Sequence, residues 1–427
     1  MSPEAHGGEG IEWSIVMDST PSTPPPAESS PVSSVEPFPV SEAASSARHD
    51  EDVQVADDIE VALAAQIALV ERRVAGGGDL LAAEREHARL AAEQVRRLHT
   101  SLRLGPLRQS LSRDRAKPQF LMLFEDLQGD AVVLKTYGRI RPGEAWTQRL
   151  WHQAGVRVVP VHAFGDDPVS WLLMRHLLVE PLSAGGEPAA RTSVGERVAL
   201  TAELAALLEP AHAVGATAVG AAAVGCTPAG AAAVTDVTPH QPPQVDEDLQ
   251  VGEDLQVDGG RGVLEQLQTL HQAIGRHLGG AVRTLQHHGY SAPAFQDQLQ
   301  RYLSGDALTL LHGDLVDGNV VRDAGDHGLV LLDTCGYVGP AEFDAARWAA
   351  RTGGAAHARE LLATWLSVEA GLDEHRAEVL LGLELLMEAG VRELVKAEQH
   401  RPWNYPDATT LNLLSAAGEL LAKARRP

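Results

Sequence analysis

The stretch Leu310–Val321, LLHGDLVDGNVV, places a histidine, two aspartates and an asparagine between two runs of branched apolar residues. The flanking runs, LTLL and VV, read as buried strands. A loop between them therefore stands at the edge of a packed core, where polar groups need partners or a task. Two readings are open. Asp, Gly and Asn are common turn formers, and Asp317-Gly318 alone makes a tight hairpin between LTLLH and VVRD. Alternatively the loop carries chemistry, and the rest of the chain has to decide.

With 427 residues and 44% hydrophobic content, the chain fills one large or two moderate cores. Cys226 and Cys335 cannot make a disulfide framework. The first residues, MSPEAHGGEG, lack the basic start and apolar run of a secretory signal, so a cytoplasmic compartment is expected. No tract offers the roughly 20 large apolar residues that span a bilayer. Of the net charge of −23, all but −4 falls in two segments: residues 1–60, with thirteen acids against Arg48 alone, and 214–260, with seven acids and no base. The charge thus belongs to tail and loop, and argues against a nucleic-acid partner.

The chain divides into four expected parts. Residues 1–55, rich in Ser, Pro and Glu, read as a disordered tail. Residues 56–104 show helical periodicity on both sides of Gly76-Gly77-Gly78, a helical lead. In 105–178, an N-terminal lobe, FLMLFE and AVVLKTY form a hairpin across DLQGD, RPGEAWTQRLWHQAG a helix, and VRVVPVHAF and WLLMRHLL two more strands. Residues 179–427 are a mainly helical C-terminal lobe, interrupted at 214–260 by a low-complexity insertion poor in large apolar side chains.

Downstream of the loop, HGLVLLDTCGYVGPAEFDAARW puts Asp333 at the end of an apolar strand and Asp344 at the start of a helix. Taken alone, Asp333 could be a strand-end turn and Asp344 an N-cap. Together, HGDLVDGN and these two aspartates resemble the HGDLxxxN loop region of the aminoglycoside phosphotransferases and related small-molecule kinases of protein-kinase-like fold. VGPAEFDAA is similar to the VGDPAFDLA pattern of the streptomycin and hydroxyurea phosphotransferase branch, with Pro340 where an Asp is usual.

The resemblance covers about residues 105–213 and 262–350. It implies a two-lobed α+β fold, with a small β-rich N-lobe and a larger helical C-lobe, and ATP-dependent phosphorylation of a small-molecule hydroxyl with Mg²⁺. It implies Asp314 as the residue that accepts or orients the acceptor proton, Asn319 and Asp333 as metal ligands, and Asp344 as anchor of the loop. Lys135 is expected on the nucleotide phosphates, with Glu144 fixing it, although in isolation they read as a strand-end cation and a first-turn acid. The adenine would meet backbone near Met174 to His176. No glycine-rich phosphate loop precedes Phe120. Acceptor candidates are Glu369, Glu384, Glu388 and Trp403, otherwise read as solvated helix charges and a packed aromatic. An aminoglycoside-type antibiotic leads the expected acceptors; the rival is a non-catalytic nucleotide-sensing or interaction module.

Overall fold

The structure, a computed structural model, describes residues 58–72, 74, 82–112, 118–141, 143–180, 182, 192–224, 301–303, 308–398 and 408–424. The expected tail 1–55, Cys226, Trp403 and the 214–260 segment beyond Val224 lie outside the described residues.

A helix over 58–72 (α1) and α2 (Ala82–Ser101) precede a five-stranded antiparallel sheet: β1 (Leu107–Ser110), β2 (Gln119–Glu125), β3 (Ala131–Tyr137), β4 (Val161–Gly165) and β5 (Trp171–Arg175), in the order β1-β2-β3-β5-β4. Side chains alternate across a strand, so this sheet has two separate tasks. Phe120, Met122, Phe124, Val132 and Leu134 face outward against Ile59, Leu63, Ala91, Val95 and Leu98 of the helical lead. Burial of each such side chain is worth roughly 1.5–3 kcal/mol. Leu123, Val133, Leu172 and Met174 occupy the opposite face, with Ala145 of α3 (Gly143–Gln153) and Val321 and Val330 of the other lobe. Lys135 shares the parity of Val133 and therefore points inward. Because both faces are covered, AVVLKTY reads as an almost unbroken apolar run instead of an alternating one.

The second lobe is helical: α4 (Val194–Val224), α5 (Glu342–Val368), α6 (Glu374–Glu398) and α7 (Ala408–Ala424). Trp348, Trp365, Phe343, Leu204, Leu361, Leu381 and Leu420 fill its core. Helix α4 runs on to Val224, into the segment expected to be an insertion from residue 214. Alanine has the highest helix propensity, so an alanine-rich stretch without large apolar groups still continues a helix. The long α5 breaks direction at Gly354, whose φ of 55° and ψ of −159° only glycine adopts readily.

Short strands carry the loops between the lobes. β7 (Thr309–Leu311) pairs with β10 (Tyr337–Gly339), and β6 (Val179–Glu180), β8 (Val320–Asp323) and β9 (Leu329–Leu331) form a three-stranded sheet. The connection from β5 to β6 is held at each end: the His176 N–H donates to Ala131 O at 3.1 Å, and Ala324 N–H donates to Leu178 O at 2.9 Å. The result is a two-lobed α+β architecture, a small β-rich lobe on a larger helical one, as expected from the sequence.

Candidate active site

The polar loop has the conformation its glycine permits. Gly313 sits at φ +76°, where a Cβ would lie 2.6 Å from Tyr337 Cδ2, so any larger residue meets both strain and a ring. At the following step Asp317–Asn319 forms one 3₁₀ turn, and Val320 opens β8. Asp344, in the first turn of α5, accepts the His312 N–H at 2.7 Å and the Gly313 N–H at 2.9 Å. It therefore anchors the loop through the backbone, the role expected for it, and does not cap its own helix. Pro340 is buried just before α5, where its carbonyl accepts the Phe343 N–H at 3.0 Å.

Asp344 is backed by a buried relay that has no signature in the sequence. His212 Nε2 lies 3.5 Å from Asp344 Oδ2 and its Nδ1 2.8 Å from Glu369 Oε1, while Trp365 Nε1 donates to the other Glu369 oxygen at 2.9 Å. Burial alone would depress the imidazole, but hydrogen bonds to Asp344 and Glu369 raise its pKa to about 9. Burial likewise works against the Asp344 carboxylate; the hydrogen bond and charge of His212 nevertheless hold it below the usual range. At neutral pH the imidazole is therefore protonated and Asp344 ionised. His312 behaves differently: burial lowers its pKa, its Nδ1 accepts the Asp314 N–H at 3.4 Å, and its carbonyl accepts the Cys335 N–H at 2.7 Å.

Three of the expected residues meet at one point. Lys135 Nζ, 1% exposed, is 2.7 Å from Glu144 Oε1 and 2.7 Å from Asp333 Oδ1, across 198 residues of chain. Burial would neutralise the amine, but the charges of Asp333 and Glu144 raise its pKa well above the ordinary lysine value. Tyr137 donates its hydroxyl to Glu144 Oε2. Asp333 has φ +51°, a conformation that is uncommon for a residue with a side chain and that aspartate tolerates better than most.

Asn319 stands next to this group, because the Leu332 N–H donates to its carbonyl at 2.9 Å. Its Nδ2 donates to Asp314 O at 2.8 Å, and its Oδ1 is buried without a partner. Asp314, 4% exposed at the side chain, pairs through Oδ1 with Arg347 Nη2, whose Nη1 lies 3.2 Å from Glu384 Oε2. No group of three or more His, Cys, Asp or Glu able to hold a metal occurs among the described residues. Asn319 and Asp333 do suit a hard divalent cation such as Mg²⁺, which takes few protein ligands and fills its sphere with phosphate oxygens and water. The orphaned Oδ1 of Asn319 is the observation that favours this.

Other expected residues lie in different surroundings. Met174 is buried on the inner sheet face with Val133 and Val321. The His176 backbone N–H is spent on Ala131, so it is not a donor for a purine. Glu369, Glu384 and Glu388 are not solvated charges: Glu369 belongs to the His212 relay, and the other two pair with Arg347 and Arg351. Arg347 and His212 join the site without having been expected there. Arg347 carried one legible signal, a lone cation three residues after Asp344 in the apolar FDAARW.

No protein-family model matches the chain, and no curated protein matches it. Among solved structures it is similar to the amicoumacin kinase hAmiN in complex with AMP-PNP, Ca²⁺ and Ami, at TM-score 0.43 and 14% identity over 78% of this chain and 93% of that one. It is similar also to a putative aminoglycoside phosphotransferase from Ralstonia eutropha (0.41, 14%, 78% and 96%). A third is the choline kinase LicA from Streptococcus pneumoniae (0.39, 11%, 78% and 98–99%). Likeness at this level bears on neither substrate nor chemistry, for which the site's own geometry has to stand.

Proposed function

We propose that the chain is a small-molecule kinase that transfers the γ-phosphoryl group of ATP to a hydroxyl of its acceptor. The observation that carries this reading is the meeting of Lys135, Glu144 and Asp333 beside the Asp314–Asn319 loop, at the junction of a sheet lobe and a helical lobe. A buried lysine held between two carboxylates is poised for the charge of a polyphosphate. A buried carboxylate next to an unpartnered amide oxygen suits an acceptor proton and a cation.

In the step itself, the acceptor oxygen bonds to the γ-phosphorus as the bond from that phosphorus to the β,γ-bridging oxygen breaks, its electron pair leaving with ADP. The acceptor proton passes to Asp314. Lys135 neutralises phosphate charge, Glu144 holds Lys135, and the base lies against the backbone near Met174 to His176, through groups other than the His176 N–H. Asn319 and Asp333 would hold Mg²⁺, which when bound neutralises developing charge on the phosphates. The acceptor class the sequence resemblance favours is an aminoglycoside-type antibiotic. Glu384 and Glu388 are already paired with Arg347 and Arg351.

The decisive experiment measures Mg·ATP consumption by purified protein against a panel of amino-sugars, amino alcohols and neutral sugars. Asp314→Asn is expected to lose turnover by orders of magnitude while keeping Mg·ATP affinity, because a general base acts mainly in the chemical step. Asp333→Asn should weaken metal-dependent nucleotide binding as well. Full turnover in Asp314→Asn, or no Mg·ATP binding by the wild type, would replace this reading with a non-catalytic module.

A further inference from the structure

We propose that Arg347 is the positioning residue for Asp314, taking one carboxylate oxygen so that the other is presented to the acceptor hydroxyl. The catalytic meaning of this rests on the kinase reading above; the contact itself does not.

Arg347 lies three residues beyond Asp344 on α5, and residues at that spacing share a helix face. Asp344 holds the loop backbone at His312 and Gly313, and Arg347 holds the side chain of the next residue, Asp314. One helix therefore clamps consecutive positions of the loop, first main chain and then carboxylate. The guanidinium is itself fixed from behind: Nη2 donates to Asp314 Oδ1 while Nη1 donates to Glu384 Oε2 at 3.2 Å, and the Glu384 side chain is 2% exposed. A planar fork bonded to carboxylates on two sides cannot turn without breaking a charge-assisted hydrogen bond.

The consequence is that the two oxygens of Asp314 are not equivalent. Oδ1 is occupied by Arg347, whereas Oδ2 has only a long approach from Asn319 Nδ2 at 3.4 Å. Oδ2 is thus the oxygen left to receive a proton, and its direction is set by where Arg347 holds its twin. Lysine carries the same charge but makes no fork, so it can pair with the carboxylates without fixing the plane of either. Glu384 in this arrangement orients Arg347, so its effect on chemistry passes through two contacts.

The test compares Arg347→Met, Arg347→Lys and Glu384→Gln by phosphate release from Mg·ATP with water as the acceptor, together with a crystal structure of each variant. A misplaced reacting group costs about 100-fold in rate. Arg347→Met is therefore expected to lose about that in kcat with KM for ATP unchanged, Arg347→Lys to recover part of it, and Glu384→Gln to lose less. In the Arg347→Met crystal structure the Asp314 carboxylate should leave its present rotamer. An unmoved Asp314, or a kcat that is unchanged or raised in folded protein, overturns the proposal; a merely structural arginine would lower thermal stability and leave kcat alone. If Arg347→Met does not fold, the other two variants decide the matter through kcat and the Asp314 rotamer. If the wild type releases no phosphate to water, the acceptor panel decides the kinase reading, and the Asp314 rotamer still decides the role of Arg347.

Discussion

Replacing His212 by glutamine removes the buried positive charge between Asp344 and Glu369 while keeping a hydrogen-bonding side chain of similar reach. The imidazole titrates near 9 in the folded protein, against about 6.5 in an unfolded chain. At about 1.4 kcal/mol per unit, that difference of roughly 2.5 units corresponds to about 3 kcal/mol of stability. Its sign follows from the raised pKa. Below pH 6.5 the imidazole is protonated in both states and the contribution is complete; between 6.5 and 9 it is progressively lost as the folded state alone retains the proton. Guanidinium denaturation of wild type and His212→Gln at half-unit steps from pH 6.5 to 10 isolates the effect, since other titrating groups are common to both proteins. Wild type should be the more stable at pH 6.5, with the gap closing by about 3 kcal/mol towards pH 9 and flat above. A gap that stays constant across that interval would mean that His212 is neutral in the fold and that Asp344 is held by the loop amides alone.

Gly313→Ala is expected to cost about 1–2 kcal/mol for the left-handed backbone, plus the displacement of Tyr337, and to abolish turnover before it abolishes folding; thermal melts and the ATP assay separate the two. Lys135→Met leaves Glu144 and Asp333 without their buried cation and should lower stability by about 3–5 kcal/mol, read by chemical denaturation; Mg·ATP binding, measured by calorimetry, should fall too. Trp348→Ala, which empties a fully buried site and removes a hydrogen bond to Thr201 Oγ1, should cost about 3–5 kcal/mol with no change in KM for ATP in protein that remains folded. Exchanging residues 225–260 for a short Gly-Ser linker should leave the melting temperature and nucleotide affinity nearly unchanged, because the segment has no large aromatic side chain and few apolar ones to bury. A large drop would show that it packs.

Much of the fold was legible because it rests on local patterns. Alternation and turn chemistry marked β2, β3 and the hairpin between them, and helical periodicity marked α2 and α3, within a few residues of where they lie. The end of α4 was not legible, since alanine-rich low complexity looks the same whether a helix continues through it or stops. Lys135, Glu144, Asp314, Asn319 and Asp333 could be named in order along the chain through the motif resemblance, because a motif survives in one dimension. Their meeting could not. The distance from Lys135 to Asp333 depends on how a sheet face packs against strands almost 200 residues later, and that is decided by the shape of the whole inner core around Val133, Met174, Val321 and Val330. Only the tertiary structure could turn Glu369, Glu384 and Glu388 from apparent surface charges into partners of His212, Arg347 and Arg351, the first two of them buried. A carboxylate on a helix reads the same whether it faces water or a cation on a neighbouring helix. The difference lies in which faces α4, α5 and α6 turn towards one another, and burial of the apolar stripe sets that choice while the charges must find one another within it.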